Sequence, residues 1–239
     1  MHPRSAFTTM TTAWSLGKHT YHTFKTLLTQ DRAGIGVTPF SGVLTDLQYH
    51  ELQRVMSGEE STQSGYESGK GSSPYEDHRR VDFHWMVRDK NNLLWFSDLL
   101  NEVSGANKLD RSHLDIRIRT YVTQKRKQIS EHVFRWLLEK HRTDEHSQSP
   151  ITGLCNPTHF GRPDIPIIME EHYADMCKVL ASRLQEMGEK KKDEVNVGVF
   201  FCGPPVIGQQ IADQCSQMNA KARNEGRKIE YRFMIEVFG

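Results

Sequence analysis

The sequence predicts an α/β fold, a Rossmann-like parallel sheet with flanking helices whose first strand is missing or atypical. Three observations predict it. Segments with the two-residue alternation of strands take turns with segments of helical period, the order produced when crossover helices join parallel strands. Val195-Asn196-Val197-Gly198-Val199-Phe200-Phe201 is almost continuously apolar, as a strand covered on both faces must be. Gly34-Ile35-Gly36-Val37-Thr38-Pro39 is a glycine-rich turn that leads directly into a helical pattern.

In chain order, residues 1–32 carry no long periodic run and form an unmatched N-terminal segment. A turn such as Gly34–Pro39 should follow a buried strand, yet the preceding stretch ends in Thr29-Gln30-Asp31-Arg32, which is polar for a central strand. After the turn, Phe40, Val43, Leu44 and Leu47 fall on one helix face. Pro39 suits the first helical turn, where its missing N–H is no loss. Residues 57–80 read as a flexible insertion, because glycine and serine dominate from Ser57 to Tyr75. Val81–Val87 alternates as a strand. Leu93, Phe96, Leu100 and Val103 mark the next helix, and Leu114–Val122 is a second alternating strand. Residues 131–141 read as a short helix and 143–150 as a loop. A third long helix runs from Pro166 to Met187, with Tyr173, Met176, Leu180, Leu184 and Met187 in phase. Lys190-Lys191-Lys192 reads as solvated loop. Cys202-Gly203-Pro204-Pro205 ends the apolar strand and opens a further helix, and a last strand spans Lys228 to Phe238.

Composition narrows the function. Thirty-one basic residues face thirty acidic ones, a net charge of +1, which argues against nucleic acid as a partner. No apolar run approaches the roughly 20 residues needed to cross a bilayer. The N-terminus lacks the apolar core of a signal peptide. The four cysteines, Cys155, Cys177, Cys202 and Cys215, form no C-x-x-C pair, so neither a zinc site nor a disulfide framework is expected. His19 and His22 have no third ligand beside them, so no metal is expected there either.

In an open α/β sheet, ligands bind at the carboxyl ends of the strands, and three segments fall there, with a fourth in a loop before a helix. The turn from Gly34 to Pro39 lets backbone approach a diphosphate and presents a helix N-terminus to it, although such a turn also occurs simply as a tight turn. Arg88-Asp89 follows a strand directly. Its guanidinium could clamp a ribose 2′-phosphate, or it could be a surface ion pair. Cys202-Gly203-Pro204 ends the most apolar strand, where a thiol and a small residue could face a nicotinamide or simply close a strand. Arg162-Pro163, within Thr158–Asp164, offers a second phosphate contact, an adenine contact or an ordinary helix-entry turn. Hydride transfer needs no protein acid or base, because the cofactor supplies the chemistry. No catalytic triad is expected, and none is visible.

From Ala33 to the end, these segments together resemble the NADPH-binding lobe of the NADPH oxidase and ferric reductase family, which is related to ferredoxin–NADP reductases. The resemblance rests on motifs in one order: Ala33–Phe40; His84–Asp89 with Trp95–Leu100; Ile151–Leu154; His159–Pro163; Val199–Pro204; and Phe233, Glu236 and Phe238 at the end. It implies a domain over residues 33–239 that binds NADPH as the hydride donor and contacts FAD held mainly elsewhere. The diphosphate would sit on Gly34, Ile35, Gly36, Val37, Thr38 and Pro39. Arg88, with Asp89, and Arg162, with Pro163, would bind the 2′-phosphate end. The reacting centre would comprise Cys202, beside Gly203 and Pro204 at the nicotinamide, and Phe238, stacked where the nicotinamide must enter. Partners implied are an FAD domain, a membrane haem core and oxidase regulatory subunits, which would put the lobe on the cytoplasmic side of a membrane. The parent reaction would pass electrons through haem to oxygen and yield superoxide. This chain departs from the family: Asp31-Arg32 stands where an apolar strand should end in glycine, Gly239 follows Phe238, the insertion is long, residues 1–32 do not match, and neither the flavin barrel with its arginine motif nor the haem-bearing membrane helices have a counterpart. The alternatives are a ferric or other metal reductase lobe, or a non-catalytic fragment acting as an interaction module.

Overall fold

A computed structural model describes residues 23–31, 38–57, 79–94, 96–106, 114–124, 129–143, 148–187 and 194–236. Among them the strands are β1 Thr23–Asp31, β2 Arg79–Val87, β3 Leu114–Val122, β4 Thr158–Phe160, β5 Val195–Cys202 and β6 Ile229–Glu236. The helices are α1 Thr38–Ser57, α2 Asn91–Leu94, α3 Ser97–Ala106, α4 Ile129–Lys140, α5 Ile165–Met187 and α6 Pro205–Asn224. The six strands form one sheet in the order β4-β3-β2-β1-β5-β6, and every pairing is parallel.

Of the two expectations for the first strand, missing or atypical, the structure shows a strand that is present and atypical. β1 lies at the centre of the sheet, paired with β2 from Lys25↔Val81 to Asp31↔Val87 and with β5 from Thr23↔Asn196 to Thr29↔Cys202. The polarity of Thr29-Gln30-Asp31 misleads because it falls at the carboxyl end of the strand. That end is the rim where a parallel sheet opens to ligands, so apolar character is not required of it.

Helices cover both faces. On one, α1 contributes Phe40, Leu44 and Leu47, α2 Leu93, and α3 Leu100 and Val103, packed on Val81, Phe83, Trp85 and Val87 of β2 and on Leu114, Ile116 and Ile118 of β3. On the other, α5 brings Ile165, Met169, Tyr173, Met176 and Leu180 against Val195, Val197, Val199 and Phe201 of β5 and against Ile211, Cys215 and Met218 of α6. β5 therefore feeds both cores, since Phe200 and Cys202 belong to the first. Double burial is what its unbroken apolar run demands.

Four element boundaries differ from the sequence reading. Ser57 closes α1, and Arg79 and Arg80 open β2, so the insertion shortens to residues 58–78, which lie outside the described residues. Residues 93–103 are split between α2 and α3 rather than forming one helix. Thr158–Phe160, read as loop, is the edge strand β4, too short at three residues for alternation to declare it. Leu184 is 48% exposed, so the apolar stripe of α5 stops at Leu180. The lysine run at 190–192 lies outside the described residues.

Candidate functional site

The order β2-β1-β5 sets the site. From β1 the chain moves outward through β2, β3 and β4, and later returns to the other side of β1 to form β5. Such a reversal leaves a crevice at the carboxyl ends of the two strands that flank it. Register fixes what stands there. Asp31 of β1 pairs with Val87 of β2, and Thr29 pairs with Cys202 of β5. Arg88 and Gly203 therefore leave the sheet at the same rim as the end of β1.

Arg88 is exposed at that rim. Its backbone carbonyl accepts from the amide of Gln124 at 3.0 Å, and the Val87 carbonyl accepts from the Thr123 amide at 2.8 Å and hydroxyl at 3.0 Å. Asp89 turns away to other work, since its Oδ1 accepts from the Asn91 amide at 2.9 Å and starts α2. Arg162 follows β4 at the same rim and is also exposed. The Gly161 amide before it donates to the Val122 carbonyl at 2.9 Å. Only β3 separates β2 from β4, so the two arginines start two strand spacings apart, about 10 Å. Pro163 is half-buried beside Arg162, ahead of α5.

At the other flank of the crevice, Cys202 is 4% exposed and packs in the first core. Gly203 and Pro204 lie nearer the surface. Pro204 is the N-cap of α6 and gives no side-chain hydrogen bond, so the positive end of this 20-residue helix lies at the crevice without a cap from that residue. Thr38 and Pro39 begin α1 just beyond β1. Gly34, Ile35, Gly36 and Val37, and Phe238 at the other end, lie outside the described residues. The structure thus gathers Arg88, Arg162, Cys202, Gly203, Pro204 and the start of α1 at one rim.

The chemistry of the described part suits a phosphorylated dinucleotide: two helix N-termini flank the switch point, and two exposed guanidinium groups stand on the β2 and β4 side. Among the described residues no cluster of His, Cys, Asp or Glu is arranged to hold a metal ion, and no helix is long and apolar enough to cross a membrane.

Sequence reasoning misses two constellations. One is a loop clamp. Asn101 of α3 donates to the Gly153 carbonyl and accepts from the Cys155 amide, each at 2.8 Å. Arg142 donates to the carbonyls of Leu154, Cys155 and Asn156 at 3.1–3.3 Å. The other is a polar cleft of about 270 Å³ under α5, lined by Arg80, Asp82 and His84 of β2, Arg119 of β3 and His172 of α5 among others. Arg80 Nε lies 2.8 Å from Asp82 Oδ2, and Arg80 Nη1 lies 3.0 Å from Asp175 Oδ2. His172 Nδ1 is 2.9 Å from the Tyr231 hydroxyl and its Nε2 is 3.5 Å from Asp82 Oδ2. Burial, reinforced by neighbouring arginines, pushes His84 down to about 4 and His172 down to about 3. The signal is present in the sequence, since Arg80, Asp82 and His84 alternate with apolar residues and declare one polar strand face.

Comparison with known proteins agrees with this architecture. Residues 32–216 match the model of the ferric reductase NAD binding domain. The chain is 28% identical over 193 residues to a superoxide-generating NADPH oxidase heavy chain of Dictyostelium discoideum, covering 79% of this chain and 21% of that protein. It is 30% identical over 179 residues to a second superoxide-generating NADPH oxidase heavy chain of the same organism, covering 75% and 26%. Dual oxidase 2 of Homo sapiens is 27% identical over 192 residues, covering 80% and 10%. The chain therefore spans between a tenth and about a quarter of the length of these relatives. By fold, by the order of its rim segments and by a match over most of its length, the chain belongs to the ferric reductase NAD-binding domain family.

Proposed function

We propose that the chain is the NADPH-binding part of a flavin-dependent NADPH oxidase, incomplete as an enzyme by itself. The observation that carries this reading is the convergence of Arg88, Arg162, the start of α1 and Gly203-Pro204 on one rim of the sheet. The backbone from Gly34 to Pro39 holds the diphosphate against the N-terminus of α1. Arg88 and Arg162 grip the 2′-phosphate and so select NADPH over NADH. Gly203 and Pro204 border the nicotinamide with little bulk, and the buried Cys202 backs them. Phe238 covers the flavin face that the nicotinamide must reach, and its displacement brings donor and acceptor to about 3–3.5 Å. NADPH supplies the hydride; the protein contributes position and electrostatics. The remainder of such an oxidase supplies FAD, a membrane haem core and contacts for regulatory subunits, and holds this lobe on the cytoplasmic side. The similarity to superoxide-generating oxidases supports oxygen as the final acceptor.

Calorimetry of the chain with NADPH and NADH tests the reading. The expected result is weak binding, tighter for NADPH, with no superoxide formed by the chain alone. Equal affinity for the two coenzymes removes the assignment of Arg88 and Arg162.

A further inference from the structure

Resting on that reading of the two arginines, we propose that Asn101 is a positioning residue that sets the placement of Arg162 relative to Arg88, and so sets the preference for a 2′-phosphorylated coenzyme. Asn101 itself reaches no part of the rim. It sits in α3, the helix that follows Arg88 through the Asp89-capped turn of α2.

Its amide side chain grips the loop leading into β4 at two points, giving a hydrogen bond to Gly153 O and taking one from Cys155 N. One helical turn further on, Ser104 holds the same loop through Asn156 Nδ2. From the opposite side, Arg142 binds three successive carbonyls of the loop and pairs with Glu139, which in turn accepts from Ser149. Below the loop, three buried threonine hydroxyls join it to the sheet: Thr158 Oγ1 lies 3.0 Å from Thr120 Oγ1 and 3.2 Å from Thr152 Oγ1. Two residues after Thr158 the strand ends, and Gly161-Arg162 follow.

Chain connectivity and hydrogen bonds together therefore link the segments that carry the two arginines. The link runs from the Arg88 segment along α3 to Asn101, across to the loop, through β4 and on to Arg162. The short return path is Arg88 O to Gln124 N in the strand extension of β3, and Val122 O to Gly161 N. β4 has only three residues of ladder to hold it. A strand so short cannot fix its own register, so the loop clamp supplies what the sheet does not. Two guanidinium groups sharing one phosphate depend on their separation, because each charge-assisted bond is directional.

The test is calorimetry of the Asn101→Ala chain with NADPH and with NADH, beside the unchanged chain. We expect NADPH affinity to fall about tenfold, the size of one lost charge-assisted contact, while NADH affinity stays within about twofold. A purely structural role for Asn101 lowers both affinities together, and that result overturns the proposal, as does an unchanged ratio. Should Asn101→Ala lose its cooperative melting transition, Arg142→Lys reads the same ratio from the other anchor of the loop, with the same expectation. If the unchanged chain prefers neither coenzyme, the assignment of Arg88 and Arg162 itself has failed. If it prefers NADPH and both variants keep that preference, only the positioning role has failed.

Discussion

Thr29 of β1 and Cys202 of β5 are register partners at the switch point of the sheet, yet the Cys202 side chain is 4% exposed. A residue placed at the carboxyl rim of the sheet by its backbone is thus withdrawn into the core by its side chain. Thiol reactivity follows access and thiolate character, so the cysteines should separate sharply. Cys155 is exposed, and Cys215 is buried with its thiol pushed up to about 12 by that burial. Alkylation of the folded chain followed by mass spectrometry should modify Cys155 first and leave Cys202 and Cys215 protected until denaturant is added. Rapid modification of Cys202 in the folded chain contradicts the packing described for the end of β5.

The two arginines of the β2 face and the rim make opposite uses of one side chain. Arg88 is exposed, whereas Arg80 is 6% exposed and held between Asp82 and Asp175. Removing one member of a buried pair strands the other, at about 3–5 kcal/mol, while replacing both with apolar residues is often neutral. Asp82→Ala should therefore destabilise the chain by about that amount in denaturant titrations. The double variant Arg80→Met with Asp82→Leu should recover most of it. Partial relief through Asp175, which is less buried, favours the low end of the range. A loss under about 1 kcal/mol for Asp82→Ala shows that the pair is not desolvated as described.

How much of this is legible in the sequence depends on periodicity. β5 and the helix face of Phe40, Leu44 and Leu47 are, because continuous or 3.6-residue apolar patterns have few competing explanations. β3 is legible to its last residue, since Leu114, Ile116 and Ile118 alternate cleanly. β1 is misjudged because its carboxyl end is polar, while its place in the sheet comes from pairing with β2 and β5, which no local pattern records. β4 escapes notice because its strand character comes from pairing with Thr120–Val122, which no local pattern records. The rim is foreseeable from motif order, but the clamp by Asn101 and Arg142 is not: each joins residues through backbone atoms, which leave no trace in residue type.

Gly161 separates β4 from Arg162 and has φ +129°, a conformation that side-chain-bearing residues avoid. A Cβ added there meets no atom within 4 Å, so space is not the constraint. The cost of Gly161→Ala is therefore backbone strain alone, about 1–3 kcal/mol. Chain rearrangement can relieve it only by shifting Arg162 or giving up the 2.9 Å bond from the Gly161 amide to Val122. Thermal or denaturant unfolding measures the cost directly. A Gly161→Ala chain that melts like the unchanged one contradicts the left-handed geometry at this position.

Acid should destabilise the chain earlier than carboxylate titration predicts, and the cause is the histidine pair beneath α5. His84 and His172 are neutral in the folded chain, driven down to about 4 and about 3 by burial, with nearby arginines adding to it, whereas in the unfolded chain each titrates near its ordinary value of about 6.5. Between these limits the unfolded chain binds the extra protons, so stability is full above about pH 6.5 and declines as pH falls. Each histidine contributes a slope of up to about 1.4 kcal/mol per pH unit, ending once the pH drops below its folded value. Asp175 adds to the loss only at lower pH: despite partial burial, hydrogen bonds from Arg80 and Lys178 hold its carboxyl below the ordinary value. Melting curves from about pH 7.5 to about pH 4.5 should thus show a midpoint that slides downward from about pH 6.5. Replacing His84 with Asn and His172 with Gln should flatten that slide, even if the double variant is less stable at neutral pH. The difference in slope isolates the pair, because the carboxylates of Asp82, Glu171 and Asp175 are present in both chains. An identical slope in the two chains means that these imidazoles are not desolvated, and with that the described burial of His84 and His172 beneath α5 fails.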